Sequence, residues 1–457
     1  MQGLVLIAAV VVLACGAVVL LRGGPVAGCL VFLLAATCFS ADYLTIDAGP
    51  VRLSIDRILW GVVMLQSLLW RRRGWDDPKP LRTPDVAALL LVGYLALRTF
   101  TANGSAGGST PVMHLILWYV MPLGIYWTVR QSRLTERACL AILACLALFG
   151  VYLAVTVIGE RFLIHAVVYP KYIIAPPFDT KAEFVGRGRG PLLNPAATGI
   201  LVTVCWIAAL MWWPRWKRAG RTMLVPLSLV FAVAIYASMT RCVWMGAALS
   251  LAIVLGVAMP RRWRVPVLGG ALLLTALAAG THWDQIMAFK RDRGTTAKET
   301  ADSVLLRPIL AAVAWNMFQD RPCFGCGFDQ YEDQAKYYLA DRSSGLALEK
   351  ARGFACHNVL LAFLTETGLV GLGLLLFLLT CWARDAWELW RSGSAPLWAR
   401  QQGLIFLATL AAYLVNGMFQ HVGLIPMSNI LLFFTAGVTT GLRPCAARVT
   451  AESATST

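Results

Sequence analysis

Long apolar blocks alternate along this chain with short polar or basic segments. An α-helix rises about 1.5 Å per residue, so about 20 apolar residues cross the hydrocarbon core of a bilayer, which is about 30 Å thick. The pattern therefore predicts an all-α polytopic membrane protein with about 12, and at most 13, transmembrane helices. The candidate spans are 3–21, 25–40, 53–70, 85–100, 111–129, 138–158, 195–213, 222–240, 242–259, 265–281, 357–381, 402–418 and 422–441.

The first two candidate spans set the uncertainty in this count, because only "RGGP" separates 3–21 from 25–40. The first apolar run has no basic lead-in and is itself long enough to cross a bilayer, so we expect no cleavable signal peptide. Strict alternation of all the candidates places the amino terminus outside the cell. If one of the first three is not a span, the terminus lies in the cytoplasm.

The composition supports the membrane class. Hydrophobic residues make up 58% of the 457 residues, charged residues make up only 14%, and the mean hydropathy is +0.66. A soluble domain carries about 25% charged residues. The net charge of +16 comes mainly from basic loops that face anionic lipid headgroups. We therefore expect membrane lipids, and no nucleic acid, among the partners.

The basic loops also give an orientation, because loops rich in Lys and Arg stay in the cytoplasm. Four such loops fall on one side of the alternation, as do Arg384, Arg391 and Arg400: "RRRGWDDPKPLR" (71–82), "RQSRLTER" (130–137), "PRWKRAGR" (214–221) and "RRWR" (261–264). Two long segments then face outward. The predicted organisation is membrane helices with an outward loop 159–194 in 1–281, a periplasmic helical domain in 282–356, membrane helices in 357–441 and a cytoplasmic tail in 442–457.

The outward loop 159–194 ends in "GRGRGPLLNP", which places Arg187 and Arg189 between glycines just before a span. Prolines and β-branched residues argue against a long regular helix in this loop. Glycines allow a ligand to approach the backbone, and guanidinium groups pair well with phosphate. The two arginines are therefore candidate substrate-binding residues. The alternative is a flexible loop whose arginines contact lipid headgroups.

The segment 282–356 is long enough to hold its own structure. Apolar residues recur at helical spacing in "ADSVLLRPILAAVAWNMFQD" (301–320), which predicts an amphipathic helix lying along the membrane surface. Its expected cap is Asp302 or Ser303, with Pro308 near the first turn. A second helix is expected at 328–340, and "DRPCFGCG" between the two predicts a tight turn.

Three cysteines face outward in this topology: Cys323, Cys326 and Cys356. "CFGC" has the spacing of a redox or zinc site, but no second cysteine pair or suitably spaced histidine completes a zinc set. Either a periplasmic disulfide or simple packing accounts for these residues. We expect no metal site, since we find no Asp-x-Asp motif in an outward loop.

Three further residues suggest chemistry at the outward edge of the membrane. Arg241 stands between two apolar runs, Arg307 is surrounded by apolar residues, and His357 begins the span that follows the large segment. An arginine at membrane depth marks a functional site or a pairing, although it can also end a helix or reach to water. A histidine with fixed cations around it suits general-base chemistry on a phosphate-bearing lipid.

Three motifs then occur in order: "SMTR", "LLRPILAAVAWNMFQDRPCFGCGFDQY" and "HNVLLAFLTETGLVGLGLLL". They resemble the O-antigen ligase and polymerase superfamily. Its pattern is an arginine at the start of a span, an arginine-led helix with a P-x-x-G-x-G turn, and H-N-x-x-L-x-x-x-x-E-x-G entering a span. The resemblance covers roughly 240–375, and the rest agrees only in topology. The matching positions are Arg241, Arg307, Pro322, Gly325, Gly327, His357, Asn358, Leu361, Glu366 and Gly368.

The resemblance implies a C-type glycosyltransferase fold in the bacterial inner membrane, with the active site facing the periplasm. It implies transfer of O-antigen polysaccharide from undecaprenyl pyrophosphate to a sugar hydroxyl of the lipid A core, without metal, nucleotide or other cofactor. Within it we assign His357 as general base and Arg241 and Arg307 as diphosphate ligands. Arg187 and Arg189 would guide the donor, and Asn358 and Glu366 would support the histidine. Direct displacement would invert the anomeric centre.

Rival functions remain open at this point. An O-antigen polymerase would use a second lipid-linked glycan as acceptor, and a protein O-oligosaccharyltransferase would use a serine or threonine hydroxyl. The helical segment 282–356 favours the ligase. A transporter or flippase for a lipid-linked anion would also use arginines near a cavity. It should show internal repeats and broken helices at mid-membrane, and the sequence has no convincing repeat.

Overall fold

A computed structural model describes residues 23–39, 45–48, 51–101, 111–175, 184–281, 297–341 and 345–455 of the chain. The first candidate span, 3–21, lies outside the described residues. Each later candidate span overlaps an α-helix, so the prediction of a helical architecture is confirmed for this part of the chain. The helices are α1 (Pro25–Cys38), α2 (Ile55–Arg72), α3 (Thr83–Thr101), α4 (Pro111–Gln131), α5 (Glu136–Phe162), α6 (Pro195–Leu210), α7 (Arg218–Ala237), α8 (Arg241–Ala258), α9 (Arg261–Thr281), α10 (Ala297–Asp320), α11 (Tyr331–Ala335), α12 (Val359–Arg391), α13 (Leu397–Gly417) and α14 (Pro426–Thr455).

Six of the described helices are long and apolar enough to cross a membrane: α3, α4, α5, α7, α8 and α12. The helices α1 and α6 are apolar but shorter. A chain with this many apolar helices is an integral membrane protein. The total of about 12 spans stays a prediction.

One described element departs from the all-α expectation. Residues Thr45–Ala48 (β1) and Val51–Ser54 (β2) form an antiparallel hairpin, in which Thr45 pairs with Ser54 and Ala48 with Val51. The sequence "TIDAGPVRLS" carries β-branched residues on both sides of a Gly-Pro pair, which is a turn signal. The candidate span 53–70 therefore begins as a strand, and its helix begins at Ile55.

The outward segment differs in detail from its prediction. Helix α10 begins at Ala297, so neither Asp302 nor Ser303 is its cap, and Pro308 lies inside the helix. Its apolar face, which includes Leu310, Val313 and Met317, forms a separate core with residues of the 326–356 region. That face therefore packs against protein. The second predicted helix, 328–340, is reduced to α11 and the 3₁₀ turn Lys336–Tyr338.

Two ion pairs, one of them fully buried, join the helix ends that carry the basic loops. Arg130 on α4 contacts Asp85 on α3 at 2.5 Å, and both side chains are fully buried. Arg82 donates two hydrogen bonds of 3.2 Å to the carboxylate of Asp385 on α12. A bidentate pair of this kind fixes both position and orientation. These contacts hold α3, α4 and α12 together at the end opposite the start of α12, where His357 lies.

Candidate active site

Helix α12 begins immediately after His357, because Asn358 caps it. The side-chain oxygen of Asn358 accepts hydrogen bonds from the backbone N–H groups of Leu360 at 2.9 Å and Leu361 at 3.1 Å. This is the geometry of a helix N-cap, which satisfies donors that the first turn leaves unpaired. The "HN" pair of the motif is thereby explained as a fixed helix start with the imidazole just outside it.

Helix α12 is interrupted at Gly368, whose φ of 67° and ψ of −166° are not helical. The turn 322–327 docks on this interruption. Backbone N–H groups of Cys326 and Gly327 donate to the carbonyls of Thr365 and Glu366 at 2.9 and 2.8 Å. In the other direction, Leu369 N–H donates to Pro322 O at 2.9 Å. The P-x-x-G-x-G turn and the E-x-G sequence are therefore two halves of one backbone junction.

Both glycines at this junction have positive φ and allow a very close backbone approach. A Cβ atom at Gly325 would lie 2.4 Å from the carbonyl carbon of Glu366. A Cβ atom at Gly368 would lie 2.3 Å from the carbonyl oxygen of Cys323. Any side chain there would have to displace main chain rather than a mobile side chain. Glycine is the residue that tolerates both the space and the φ angle.

The side chain of Glu366 is part of the same junction. Its two carboxylate oxygens accept hydrogen bonds from the backbone N–H groups of Asp329 at 3.1 Å and Tyr331 at 3.3 Å. The residue is only 6% exposed. Its position therefore indicates that it holds the outward segment on α12 through backbone donors.

Arg241 and Arg307 lie near each other although 65 residues separate them in the sequence. Arg241 is the first residue of α8. The two guanidinium groups are close enough for their positive charges to repel one another. Arg307 lies about three turns inside α10, so the N-terminal dipole of that helix adds little to its charge. Two cations within electrostatic range of each other suit the binding of an anion.

A short loop between α13 and α14, residues 418–425, contacts the predicted site from the other side. The guanidinium of Arg307 lies 5.2 Å from the centre of the Phe419 ring. The side-chain amide of Asn358 donates to the carbonyl of Met418 at 3.3 Å. His421 lies within electrostatic range of His357. The loop 418–425 therefore contacts Arg307 and the cap residue Asn358 directly, and it lies within electrostatic range of His357.

Sequence analysis missed Phe419 and His421. "MFQHVGL" carries a histidine between two predicted spans, and that signal was available from the sequence alone. Burial and the neighbouring charge of His357 lower the pKa of His421 to about 3. His421 is therefore neutral at physiological pH.

The two arginines of the "GRGRG" sequence are buried rather than open to solvent. The guanidinium of Arg189 donates to Glu160 of α5 at 2.7 Å and to the carbonyl of Ile173 at 3.0 Å. The second oxygen of Glu160 accepts from the backbone N–H groups of Arg189 and Gly190 at 2.7 and 2.8 Å. This closed set of hydrogen bonds supports a structural role for Arg189.

Arg187 is 6% exposed, and its guanidinium lies 5.0 Å from the centre of the Phe184 ring. Between the two arginines, the N–H of Gly188 donates to the carbonyl of Ala237 at 2.8 Å. Ala237 ends α7, only a short turn before Arg241. The "GRGRG" loop thus contacts the end of α7, a short turn before Arg241, and supports the backbone that leads to α8.

The role of Arg189 can be tested by its effect on stability. We expect Arg189→Ala to destabilise the protein by about 3–5 kcal/mol, because it leaves the buried carboxylate of Glu160 without its partner. The double variant Arg189→Ala/Glu160→Ala should recover part of that loss. Thermal unfolding of the purified protein measures both. Unchanged stability with a raised donor KM would instead place Arg189 in the substrate site.

Cys323, Cys326 and Cys356, which the sequence predicts to face outward, are free thiols in the structure. Cys326 and Cys356 are buried in the separate core that α10 forms with the 326–356 region. Burial raises the pKa of each thiol to about 12. Cys323 is exposed. Of the alternatives considered from the sequence, the structure favours packing for the two buried residues. Across the described residues, no group of three or more His, Cys, Asp or Glu side chains is arranged to hold a metal ion.

The apolar helices define an integral membrane protein, and Arg307, Asn358 and the loop 418–425 are in contact near the start of α12. A family model described as O-antigen ligase matches residues 226–376, and this places that segment in the O-antigen ligase family. The match covers about a third of the 457 residues. It confirms the resemblance inferred from the motifs and indicates a glycosyltransferase-like enzyme of O-antigen biosynthesis. No curated protein matches the chain.

The matched segment contains Arg241, Arg307 and His357, together with the backbone junction at Gly368. It does not contain Arg187, Arg189 or the loop 418–425. The contacts of Arg187, Arg189 and the loop 418–425 are therefore observed in this structure and do not come from the family match.

Proposed function

We propose that this protein is an O-antigen ligase. It transfers O-antigen polysaccharide from undecaprenyl pyrophosphate to a sugar hydroxyl of the lipid A core, at the periplasmic face of the bacterial inner membrane. The observation that carries this proposal is the meeting of Arg241, Arg307 and His357 around the loop 418–425. The family match over residues 226–376 supports it.

The chemistry requires one bond to form and one to break. The acceptor hydroxyl oxygen attacks the anomeric carbon of the glycan, and the bond from that carbon to the phosphate oxygen breaks. The imidazole of His357 takes the hydroxyl proton, which makes the oxygen a better nucleophile. Undecaprenyl pyrophosphate leaves with the bonding electron pair. A single displacement of this kind inverts the anomeric centre.

Arg241 and Arg307 stabilise the negative charge that grows on the leaving diphosphate. Two cations within electrostatic range repel each other and gain most when an anion lies between them. The ring of Phe419 holds the Arg307 guanidinium through a cation–π contact. With the arginines in this role the step needs no metal ion, which stays a prediction of the proposal.

The remaining predicted residues take indirect roles in this proposal. Asn358 fixes the start of α12 and contacts the carbonyl of Met418, so it positions His357 relative to the loop. Glu366 holds the outward segment on α12. Arg187 and Arg189 support the backbone before Arg241 in this proposal.

We propose that α10 and the short helices between its end and the start of α12 form the periplasmic domain. It favours the ligase over the polymerase and over the protein O-oligosaccharyltransferase, since a bulky lipid A core acceptor needs a shaped outer surface. A lipid-linked anion transporter is disfavoured by the site's position at one end of the helices, whereas alternating access needs a site near mid-membrane.

The proposal is tested by a choice of acceptors. We expect the purified protein, given an undecaprenyl-pyrophosphate-linked glycan, to extend lipid A core and release undecaprenyl pyrophosphate. Lipid A core, a second lipid-linked glycan and a serine-bearing peptide are supplied separately, and products are resolved by gel and mass spectrometry. Glycan-to-glycan or glycan-to-peptide products without core extension would replace the ligase by the polymerase or the protein-modifying enzyme.

A further inference from the structure

A second polar position lies in the loop that joins α2 to α3, far along the chain from the candidate active site. Two surface grooves meet there at Asp76 and have volumes of about 220 and 350 Å³. Groove A runs between α1 and α5, and its lining includes Pro25, Leu30, Trp70, Trp75 and Ser132. Groove B runs between α2 and α4, and its lining includes Trp60, Met64, Leu68, Leu123 and Trp127.

Asp76 lines both grooves and is not fully paired. The residue is 8% exposed, and its Oδ1 atom is buried without a hydrogen-bond donor among the described residues. A buried polar atom without a partner is costly, and such atoms need an explanation. A carboxylate that lines a groove can accept a hydrogen bond from a cationic group bound in that groove.

Lys79, in the same loop, does not donate a hydrogen bond to the buried Oδ1 atom of Asp76. The ammonium group of Lys79 donates to the carbonyls of Arg130 and Ser132 at 2.9 and 2.8 Å. Burial raises the pKa of Asp76 above its ordinary value, although Lys79 and Arg71 act to lower it. These two charges lie near Asp76, but neither side chain donates a hydrogen bond to its buried Oδ1 atom.

The surroundings of Asp76 are those of the membrane interface. Trp70 and Trp75 pack edge to face with their ring centres 5.1 Å apart, and the guanidinium of Arg73 lies 5.0 Å from the Trp75 ring centre. Tryptophan and arginine concentrate where the helices leave the hydrocarbon core. Arg71 lines groove B beside Asp76 and is exposed.

We propose that this position binds one phospholipid whose headgroup carries a protonated primary amine, as in phosphatidylethanolamine. The ammonium donates to Asp76, the phosphate pairs with Arg71, and the two acyl chains follow groove A and groove B. Charge complementarity selects this occupant. A purely anionic headgroup would pair with Arg71 but would face the carboxylate, and a quaternary amine has no N–H group to donate.

The apolar walls explain why the ligand is a lipid rather than a free amine. Leu68 and Leu89 of groove B are 60% and 46% exposed, which is expected for side chains that face acyl chains in an integral membrane protein. A single carboxylate for the headgroup, placed where two apolar grooves meet, matches the branched shape of a diacyl lipid. The site does not depend on the proposed glycosyl transfer.

The test compares lipids with identical acyl chains on the purified, delipidated full-length protein, using native mass spectrometry. We expect phosphatidylethanolamine to bind about tenfold more tightly than phosphatidylcholine, because only the former donates to Asp76. Asp76→Asn should abolish the difference. The matched control is Asp77→Asn, one residue along, whose carboxylate pairs with Lys79 at 3.7 Å and is absent from both groove linings; it should keep the difference.

The comparison in the wild-type protein needs no variant, so misfolding of Asp76→Asn would not hide the answer. Equal binding of phosphatidylethanolamine and phosphatidylcholine by the wild-type protein would overturn the proposal. So would an unchanged preference in Asp76→Asn, or binding of phosphatidylglycerol as tight as that of phosphatidylethanolamine. The last result would assign the loop to anionic lipids in general.

Discussion

Replacing His357 by alanine should reduce glycan transfer by a factor of about 10²–10⁴ without unfolding the protein, because loss of a general base has an effect of this size. The side chain lies just before the cap of α12, and the cap itself is made by Asn358. The substitution therefore leaves the helix start intact. Rates of transfer to lipid A core, measured at equal amounts of purified protein, give the result.

The control for this variant is His165→Ala, which removes an exposed histidine whose backbone carbonyl, not its ring, accepts the hydrogen bond from Lys171. It should transfer glycan at the wild-type rate. Arg241→Ala should instead fail like His357→Ala, since it removes one of the two adjacent cations. Wild-type transfer by either His357→Ala or Arg241→Ala would remove that residue from the mechanism.

Replacing Gly368 by alanine should separate the outward segment from α12 and lower both stability and transfer. The new Cβ atom would lie 2.3 Å from the carbonyl oxygen of Cys323, and the backbone would keep a φ of 67° that disfavours alanine. The backbone strain alone costs about 1–3 kcal/mol, and the displaced turn adds to it. We expect a lower thermal midpoint and loss of transfer, measured on the same preparation.

Gly373→Ala is the matched control in the same helix. A Cβ atom there meets no atom within 4 Å, and the backbone is helical. Alanine at a helical glycine stabilises by about 0.5–1 kcal/mol. A wild-type thermal midpoint for Gly368→Ala would show that the junction between the turn 322–327 and α12 is not needed for the fold.

Several elements could be predicted because they follow from local pattern. The apolar blocks are long enough to cross a bilayer, and each candidate span from 25–40 onward overlaps a helix. The apolar spacing of 301–320 correctly predicted a helix that ends at Asp320. Its predicted start was wrong, because residues 297–300 read "AKET" and continue the helix without an apolar repeat. The hairpin Thr45–Ser54 was missed because a neighbouring hydrophobic run dominated the pattern.

Candidate site residues divide in the same way. Arg241, Arg307 and His357 were singled out because charged groups at the edge of apolar runs are conspicuous. Their proximity to Phe419 and His421 could not be predicted from the sequence, since the loop 418–425 lies two helices beyond His357 in the chain. Arg189 was expected to guide the donor, and Glu366 was expected to support the histidine. Their hydrogen bonds to backbone and to Glu160 show contacts that no spacing rule contains.

The sequence by itself determined the membrane class, the helices and the ordered motifs of the O-antigen ligase family, because hydrophobic length and short motifs are properties of contiguous residues. Only the tertiary structure decided which of the charged side chains are buried structural partners and which gather at one end of the helices. That decision depends on contacts between segments far apart in the chain. It includes the docking of a glycine turn on a broken helix, which becomes defined only when the helices pack.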